Sequence, residues 1–224
     1  MKPVGILRFL GTNCDRDVWQ AIEAVGLKPQ WLWYEDRFRA EDYAAFVVPG
    51  GFSYGDYLRC GALAAKAPVM KSLAEAAEKG YPVLGICNGF QILCESGLLP
   101  GALVRNEGRR FVDTWVSLRL ESEAPTWTRG MSPAVEIRLP VAHGEGRFYV
   151  EPEELDRLRA RGQVWWTYSG ENPNGSVADI AGVCNEGQNV WGLMPHPERA
   201  IFDWMGREDG RAIFSALADG TRGE

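Results

Sequence analysis

The sequence predicts an α/β fold, with a mostly parallel central sheet flanked by helices and additional smaller antiparallel strands. Three observations carry this. Ala45-Phe-Val-Val48 and Val83-Leu-Gly-Ile86 are short, continuously apolar runs, the pattern of strands covered on both faces. In the first hundred residues such runs alternate with helical patterns through glycine turns, the signature of βαβ units. From about residue 111 the texture changes to alternating apolar residues, which suits antiparallel strands.

Taken in order, Val4 to Phe9 is a first strand, bounded by Pro3 and Gly11. The apolar stretch at the N-terminus runs straight into Arg8 and is too short for a signal peptide. Thr12 or Asn13 is placed to cap a helix reaching about Val25, with Val18, Trp19, Ile22 and Val25 near one face and Gly26 as its stop. Lys28 to Tyr34 is the second strand, and Ala45–Val48 the third, cut off by Pro49-Gly50-Gly51. Ala67 to Lys79 is helical up to Gly80. Val83 to Ile86 is the next strand and Gly89 to Glu95 the helix after it. Further strands are expected at Phe111–Leu120, Ala134–Val141, Trp165–Tyr168, Val177–Val183 and Val190–Met194. Glu153–Arg161 reads as a helix with Pro152 at its first turn. Ile201–Trp204 and Arg211–Ala218 read as terminal helical pieces, and Pro173-Asn-Gly-Ser176 as a simple turn. With no linker, repeat or low-complexity tract in view, residues 1–224 are expected to form a single domain.

Composition narrows the function classes. Hydrophobic residues make up 46% and charged residues 24%, which argues against disorder. The net charge is -6 and no Lys/Arg block occurs, so no nucleic-acid partner is expected. No segment approaches membrane-spanning length. The five cysteines are odd in number and lack Cys-x-x-Cys spacing, so neither a disulfide framework nor a structural zinc site is expected, and a reducing cytoplasm fits. Among the nine tryptophans, Trp31, Trp33, Trp165 and Trp166 are candidates for core or for a partner surface.

Chemistry concentrates at strand ends. Gly85-Ile-Cys87-Asn-Gly89 places a cysteine where an apolar strand turns sharply into a helix. The first amides of that helix would favour a thiolate and attract a developing oxyanion. A nucleophilic thiol needs an imidazole base and an acceptor to orient it. His196 follows the last strand between two prolines, and Glu198 lies two residues on. His143, in Ala142-His-Gly-Glu-Gly-Arg-Phe148, is the other histidine: an alternative base, or an accessory residue at the pocket mouth or a partner contact. The two histidines show no His-x-x-x-His or clustered ligand spacing, so no metal is expected. Gly50-Gly51 can bring a backbone amide near an acyl oxygen, and Asn88 supplies another. Tyr54, Asp56, Tyr57 and Arg59 extend that loop with residues that suit a protein contact or substrate channel. Arg105, in Arg105-Asn-Glu-Gly-Arg-Arg-Phe111, belongs to the nearest thing to a basic patch, for an acidic group or a partner protein.

Gly50-Gly-Phe-Ser-Tyr-Gly-Asp-Tyr-Leu-Arg59, Gly85-Ile-Cys-Asn-Gly-Phe-Gln91, Arg105-Asn106 and Pro195-His-Pro-Glu-Arg199 together resemble the class I glutamine amidotransferases over essentially the whole chain. The Gly-Phe-Ser-Tyr-Gly-Asp segment and the Cys-Asn-Gly-Phe-Gln variant narrow the resemblance to glutaminase subunits that serve purine biosynthesis. The resemblance implies a flavodoxin-like fold. It implies that Cys87 attacks the amide of glutamine, His196 handles protons, Glu198 holds His196, and the amides of Gly51 and Asn88 stabilise the oxyanion. Gln91 matches a family position that helps seat glutamine, and Gly50 and His143 are placed with it as substrate-binding residues; Tyr54, Asp56, Tyr57 and Arg59, whose loop continues directly from Gly51, and Arg105 are read from their own chemistry as a partner or coupling surface. The resemblance further implies ammonia transfer to a large ATP-dependent synthetase that makes formylglycinamidine ribonucleotide from formylglycinamide ribonucleotide, assembled with a small accessory subunit. No cofactor is implied on this chain, ATP and Mg²⁺ being the synthetase's. Another cysteine hydrolase on a similar sheet, such as a peptidase or deglycase, and a non-catalytic binding subunit are the competing readings.

Overall fold

A computed structural model of the chain describes residues 2–123, 126–132 and 134–222, the last three by backbone only. Its centre is one nine-stranded sheet in the order β2-β1-β3-β4-β11-β10-β9-β6-β7. The strands are β1 (Val4–Arg8), β2 (Pro29–Trp33), β3 (Ala45–Val48), β4 (Val83–Ile86), β6 (Val112–Leu120), β7 (Glu136–His143), β9 (Val164–Tyr168), β10 (Ile180–Cys184) and β11 (Val190–Leu193). β2, β1, β3, β4 and β11 run parallel, and the remaining four pair antiparallel. The parallel part has the flavodoxin-like order. The antiparallel strands continue the same sheet, because β10 pairs with β11 along its free edge. A separate two-stranded sheet joins β5 (Ala102–Val104) to β8 (Arg147–Tyr149). At three residues each, these strands are too short for alternation to show in the sequence.

Among the described residues five α-helices accompany the sheet: α1 (Asp15–Ala24), α2 (Pro68–Glu78), α3 (Asn88–Glu95), α4 (Pro152–Ala160) and α5 (Arg211–Arg222). α1 starts later than a Thr12 or Asn13 cap would place it. The Thr12 hydroxyl instead accepts the Phe9 amide at 3.0 Å, closing the turn after β1. The N-terminus of α1 has no side-chain cap, and Asp15 and Asp17 in its first turn supply the favourable charge. Two further expectations need correction. Ile201–Trp204 is helical only in its second half: Ile201 and Phe202 are bends, and a 3₁₀ turn over Asp203–Met205 ends at Gly206. Residues 177–179 form a 3₁₀ turn with Ala178 at φ 50°, so β10 begins only at Ile180.

The core lies on both faces of the central strands. β3, β4, β9, β10 and β11 are buried along their whole length. Trp165 and Trp166 are therefore core residues, Trp165 packing edge-on against Trp191 at 5.0 Å, and they offer no partner surface. Fully burying side chains of this size contributes about 2–3 kcal/mol each. Trp31 is half-buried against Trp19, with the Arg8 guanidinium 4.6 Å above its ring. All five cysteines are free.

Candidate active site

The carboxyl ends of β1, β3, β4 and β11 converge, as parallel sheets require of a ligand crevice. β4 enters the elbow at Cys87, which holds φ 50° and ψ −105° before α3 begins. Such a backbone in a non-glycine residue costs about 1–3 kcal/mol and persists only where its surroundings impose it. Two contacts impose it here. The Cys87 amide donates to the Leu193 carbonyl at 2.8 Å, continuing the β4–β11 ladder past the strand end. The start of α3 descends so closely on β3 that a Cβ on Gly89 would lie 1.8 Å from the Val48 carbonyl oxygen. Cys87 is 5% exposed, and its sulfur faces the Ala142 carbonyl at 3.8 Å.

β11 delivers His196. Its amide donates to the Pro140 carbonyl of β7 at 2.9 Å, and Pro197–Arg199 then turns back as a 3₁₀ helix. The turn brings Glu198 Oε1 to 2.6 Å from His196 Nδ1, with both side chains buried. His196 Nε2 and Glu198 Oε2 have no protein partner among the described residues. Burial by itself opposes the imidazolium, but the Glu198 carboxylate and then the Cys87 sulfur outweigh it, and the His196 pKa stands well above its ordinary value. A Cβ built on Gly50 would meet His196 Cε1 at 2.8 Å and Cys87 Cβ at 3.4 Å. Cys87 and His196 thus pack against the same bare glycine.

Gly51 follows at φ 145°, a conformation open essentially only to glycine. A side chain there would strike the Gly11–Asn13 backbone at 2.7 Å. Among the described residues, neither the Gly51 nor the Asn88 amide is engaged by a protein acceptor. The Asn88 side chain bridges outward instead, accepting from the Ser53 amide at 3.2 Å and donating to Gln91 Oε1 at 2.8 Å. Gln91 Nε2 then donates to the Glu145 carbonyl at 2.6 Å. His143 is buried under this loop, away from solvent. Burial, with His196 as a second cause, pushes its pKa down to about 4.

The loop after Gly51 is strained and exposed. Tyr54, Asp56 and Leu58 all have positive φ, and Tyr57 and Leu58 are 75% and 88% exposed. Tyr54 is half-buried, edge-on to Tyr34, and the partly buried Asp56 carboxyl is raised by desolvation. Arg59 pairs with Glu95 at 2.5 Å and Arg105 with Glu145 at 3.5 Å, so both arginines already hold acidic partners.

Sequence reasoning left Cys14 without a role, and it lies inside the site. Its sulfur, a His196 nitrogen and a Glu198 oxygen lie within 4.8 Å of one another, the one set of metal-ligand spacing among the described residues. Arg199 donates to this sulfur at 3.0 Å and to Asp17 at 3.2 Å. That guanidinium repels a cation from the set. Cys14 was missed because nothing local marks it: it meets the site from the turn before α1, whereas Arg199 stands in the same turn as Glu198 and was read only as part of the Pro195–Arg199 motif.

A profile of the CobB/CobQ-like glutamine amidotransferase domain family matches residues 2–212. The chain is 50% identical over 214 residues to the phosphoribosylformylglycinamidine synthase subunit PurQ of Helicobacter hepaticus, covering 96% of each chain. It is 50% identical over 220 residues to that of Rubrobacter xylanophilus, covering 98% of this chain and 99% of the relative. In structure it is similar to a chain of PurLQS from Thermotoga maritima, with a TM-score of 0.90 and 42% identity over 99% of this chain and 100% of the other.

Proposed function

Since the chain belongs to the CobB/CobQ-like glutamine amidotransferase family, we propose that it hydrolyses glutamine and supplies the ammonia to a synthetase partner in purine biosynthesis. The observation that carries this reading is the strained Cys87 elbow set beside a buried His196–Glu198 pair.

In this reading Cys87 Sγ attacks the side-chain carbonyl carbon of glutamine. Its proton passes to His196 Nε2, the ring nitrogen without a protein partner. The Gly51 and Asn88 amides stabilise the oxyanion. Collapse of the tetrahedral intermediate breaks the C–N bond. The His196 proton leaves with the nitrogen as ammonia, and a thioester remains on Cys87. His196 then takes a proton from water, which attacks the thioester, and glutamate departs as the thiol is restored. Glu198 Oε1 accepts from Nδ1 throughout, fixing the ring and favouring its cationic form.

The relatives support a reading of the partners, since two of them are synthase subunits and one comes from the PurLQS assembly. The partner is a large synthetase that binds ATP and Mg²⁺ and converts formylglycinamide ribonucleotide to formylglycinamidine ribonucleotide, with a small accessory subunit. The chain acts as one glutaminase domain in the cytoplasm and carries no cofactor of its own. No helix among the described residues is long and apolar enough to cross a membrane. The loop from Phe52 to Arg59 is the coupling surface, because it continues directly from Gly51 and exposes Tyr57 and Leu58.

The test is a Cys87→Ser chain reconstituted with its partners. Glutamine-dependent synthesis should fall by at least about a thousandfold, with ammonia-dependent synthesis retained. Survival of both activities would exclude the cysteine mechanism. Loss of both would point to a failure of assembly.

A further inference from the structure

We propose that Asn174, acting through His143 together with Asn106, is a positioning residue for the glutamine seat. The proposal rests on the glutaminase reading above and assigns a role to the Pro173–Ser176 segment, which the sequence presents as a plain turn.

The three side chains form a buried cluster, none more than 3% exposed. Asn106 Nδ2 donates to the carbonyls of Arg110 and His143, both at 2.9 Å, which fixes the orientation of its amide. Its Oδ1 can then only accept. It takes the Gly146 amide at 3.0 Å and faces His143 Nδ1 at 3.1 Å. His143 therefore carries its proton on Nδ1 and leaves Nε2 as an acceptor. Asn174 closes that side: its Nδ2 donates to the Gly146 carbonyl at 2.8 Å and to the Tyr168 hydroxyl at 3.2 Å, and in doing so lies against Nε2 at 3.5 Å. Ser176 holds the other end of Asn174, its amide at 3.0 Å and its hydroxyl at 2.7 Å from Oδ1. Gly146 completes the wrap, since a Cβ there would lie 2.4 Å from the imidazole.

Residues 143–146 are thus wound around one neutral imidazole, which Asn106 holds at Nδ1 while Asn174 ties down the Gly146 carbonyl beside Nε2. Both exits of this loop face the site. At one end the Ala142 carbonyl faces Cys87 Sγ at 3.8 Å. At the other, the Glu145 carbonyl holds Gln91 on the first turn of α3 at 2.6 Å, and Gln91 is bound in turn to Asn88. Asn174 touches neither sulfur nor Gln91. It holds the two exits of the loop, at Ala142 and Glu145, in place against Cys87 and Gln91, and so sets how glutamine is seated beside the nucleophile. Such a residue acts on substrate fit, and leaves the reactivity of the thiol in place.

That difference is measurable in the full chain reconstituted with its synthetase. For Asn174→Ala, KM for glutamine should rise about tenfold while kcat changes less than about threefold. Alkylation of Cys87 by a glutamine-shaped diazoketone should slow by about the same tenfold, whereas iodoacetamide should label Cys87 at the wild-type rate. Asn174→Ser, which keeps a small polar group, should fall between and serves as the second variant if the alanine chain does not fold. An unchanged KM, a loss confined to kcat, a parallel slowing of both reagents, or failure of both variants to fold would each overturn the proposal. A wild-type chain that the glutamine analogue does not label would sink the glutaminase reading and the positioning role with it. A labelled wild type with an indifferent Asn174→Ala chain would sink the positioning role alone.

Discussion

At the scale of single residues, the two histidines divide the work by environment. Both are buried, yet their pKa values move in opposite directions. His196 has the Glu198 carboxylate at 2.6 Å to offset desolvation. His143 has no carboxylate partner, only asparagine amides on its ring nitrogens, so desolvation prevails, the nearby His196 adds to it, and the pKa falls to about 4. Of the two candidate bases that the sequence offers, the paired one is suited to carry a proton. Replacing Glu198 with glutamine removes the charge, so desolvation should lower the His196 pKa, seen by NMR titration of the ring, and glutamine turnover should drop by roughly a hundredfold or more. The linkage signs also differ. For His196, raised in the fold, the stabilisation is fully present below the unfolded value near 6.5 and is lost as pH rises through the folded pKa. For His143, lowered in the fold, it is present above 6.5 and lost as pH falls through about 4, a change on the order of 3 kcal/mol. Urea midpoints measured from pH 7 to pH 4 should show this acid slope, and a His143→Gln chain should lack its share.

At the scale of elements, the elbow depends on how closely α3 can approach β3. Gly89 sits where a Cβ would overlap the Val48 carbonyl, so the helix would have to lift and carry Cys87 with it. Gly89→Ala should cost about 3 kcal/mol or more, in the range of severe overpacking. Gly108, which has open space around it, should accept alanine within about 0.5 kcal/mol. Chemical denaturation of the two variants side by side checks this, and equal stabilities would contradict the packing argument. The sequence shows the elbow well because its ingredients are local: an apolar strand, a thiol and flanking glycines. It shows the loops poorly. Cys14 meets His196 only because α1 and the turn after β11 pack together, with Arg199 reaching across to Asp17. No short-range pattern encodes that meeting.

At the scale of the whole molecule, the sheet divides the labour. Its parallel half brings the loops after β1, β3, β4 and β11 to one edge, and its antiparallel half carries the 142–146 loop over them. The Ser53–Asn88–Gln91–Glu145 chain of hydrogen bonds joins the two halves beneath Cys87. The exposed strip at Tyr57 and Leu58 is continuous with this chain through Ser53, so under the proposed function a synthetase docked there would have a physical route to both loops. Tyr57→Ala should leave thermal stability unchanged, because the side chain is 75% exposed, while lowering the stimulation of glutaminase turnover by the partner. Turnover measured with and without the synthetase checks it, and undiminished stimulation would remove the loop from the coupling surface.

The sequence by itself determined the order of the parallel strands and helices, the cysteine elbow and the His-Pro-Glu turn, because period, apolar runs and glycine punctuation are short-range signals. It also carried the family resemblance, in motifs that fall at strand ends. Tertiary structure alone decided that the antiparallel strands extend the main sheet and that Trp165 and Trp166 are core. It alone decided that His143 is a buried neutral ring between Asn106 and Asn174. These are matters of which distant segments share a face, and of the desolvation that follows when they do. Residues 37 or 31 positions apart in sequence become hydrogen-bond partners only when the chain has closed around them.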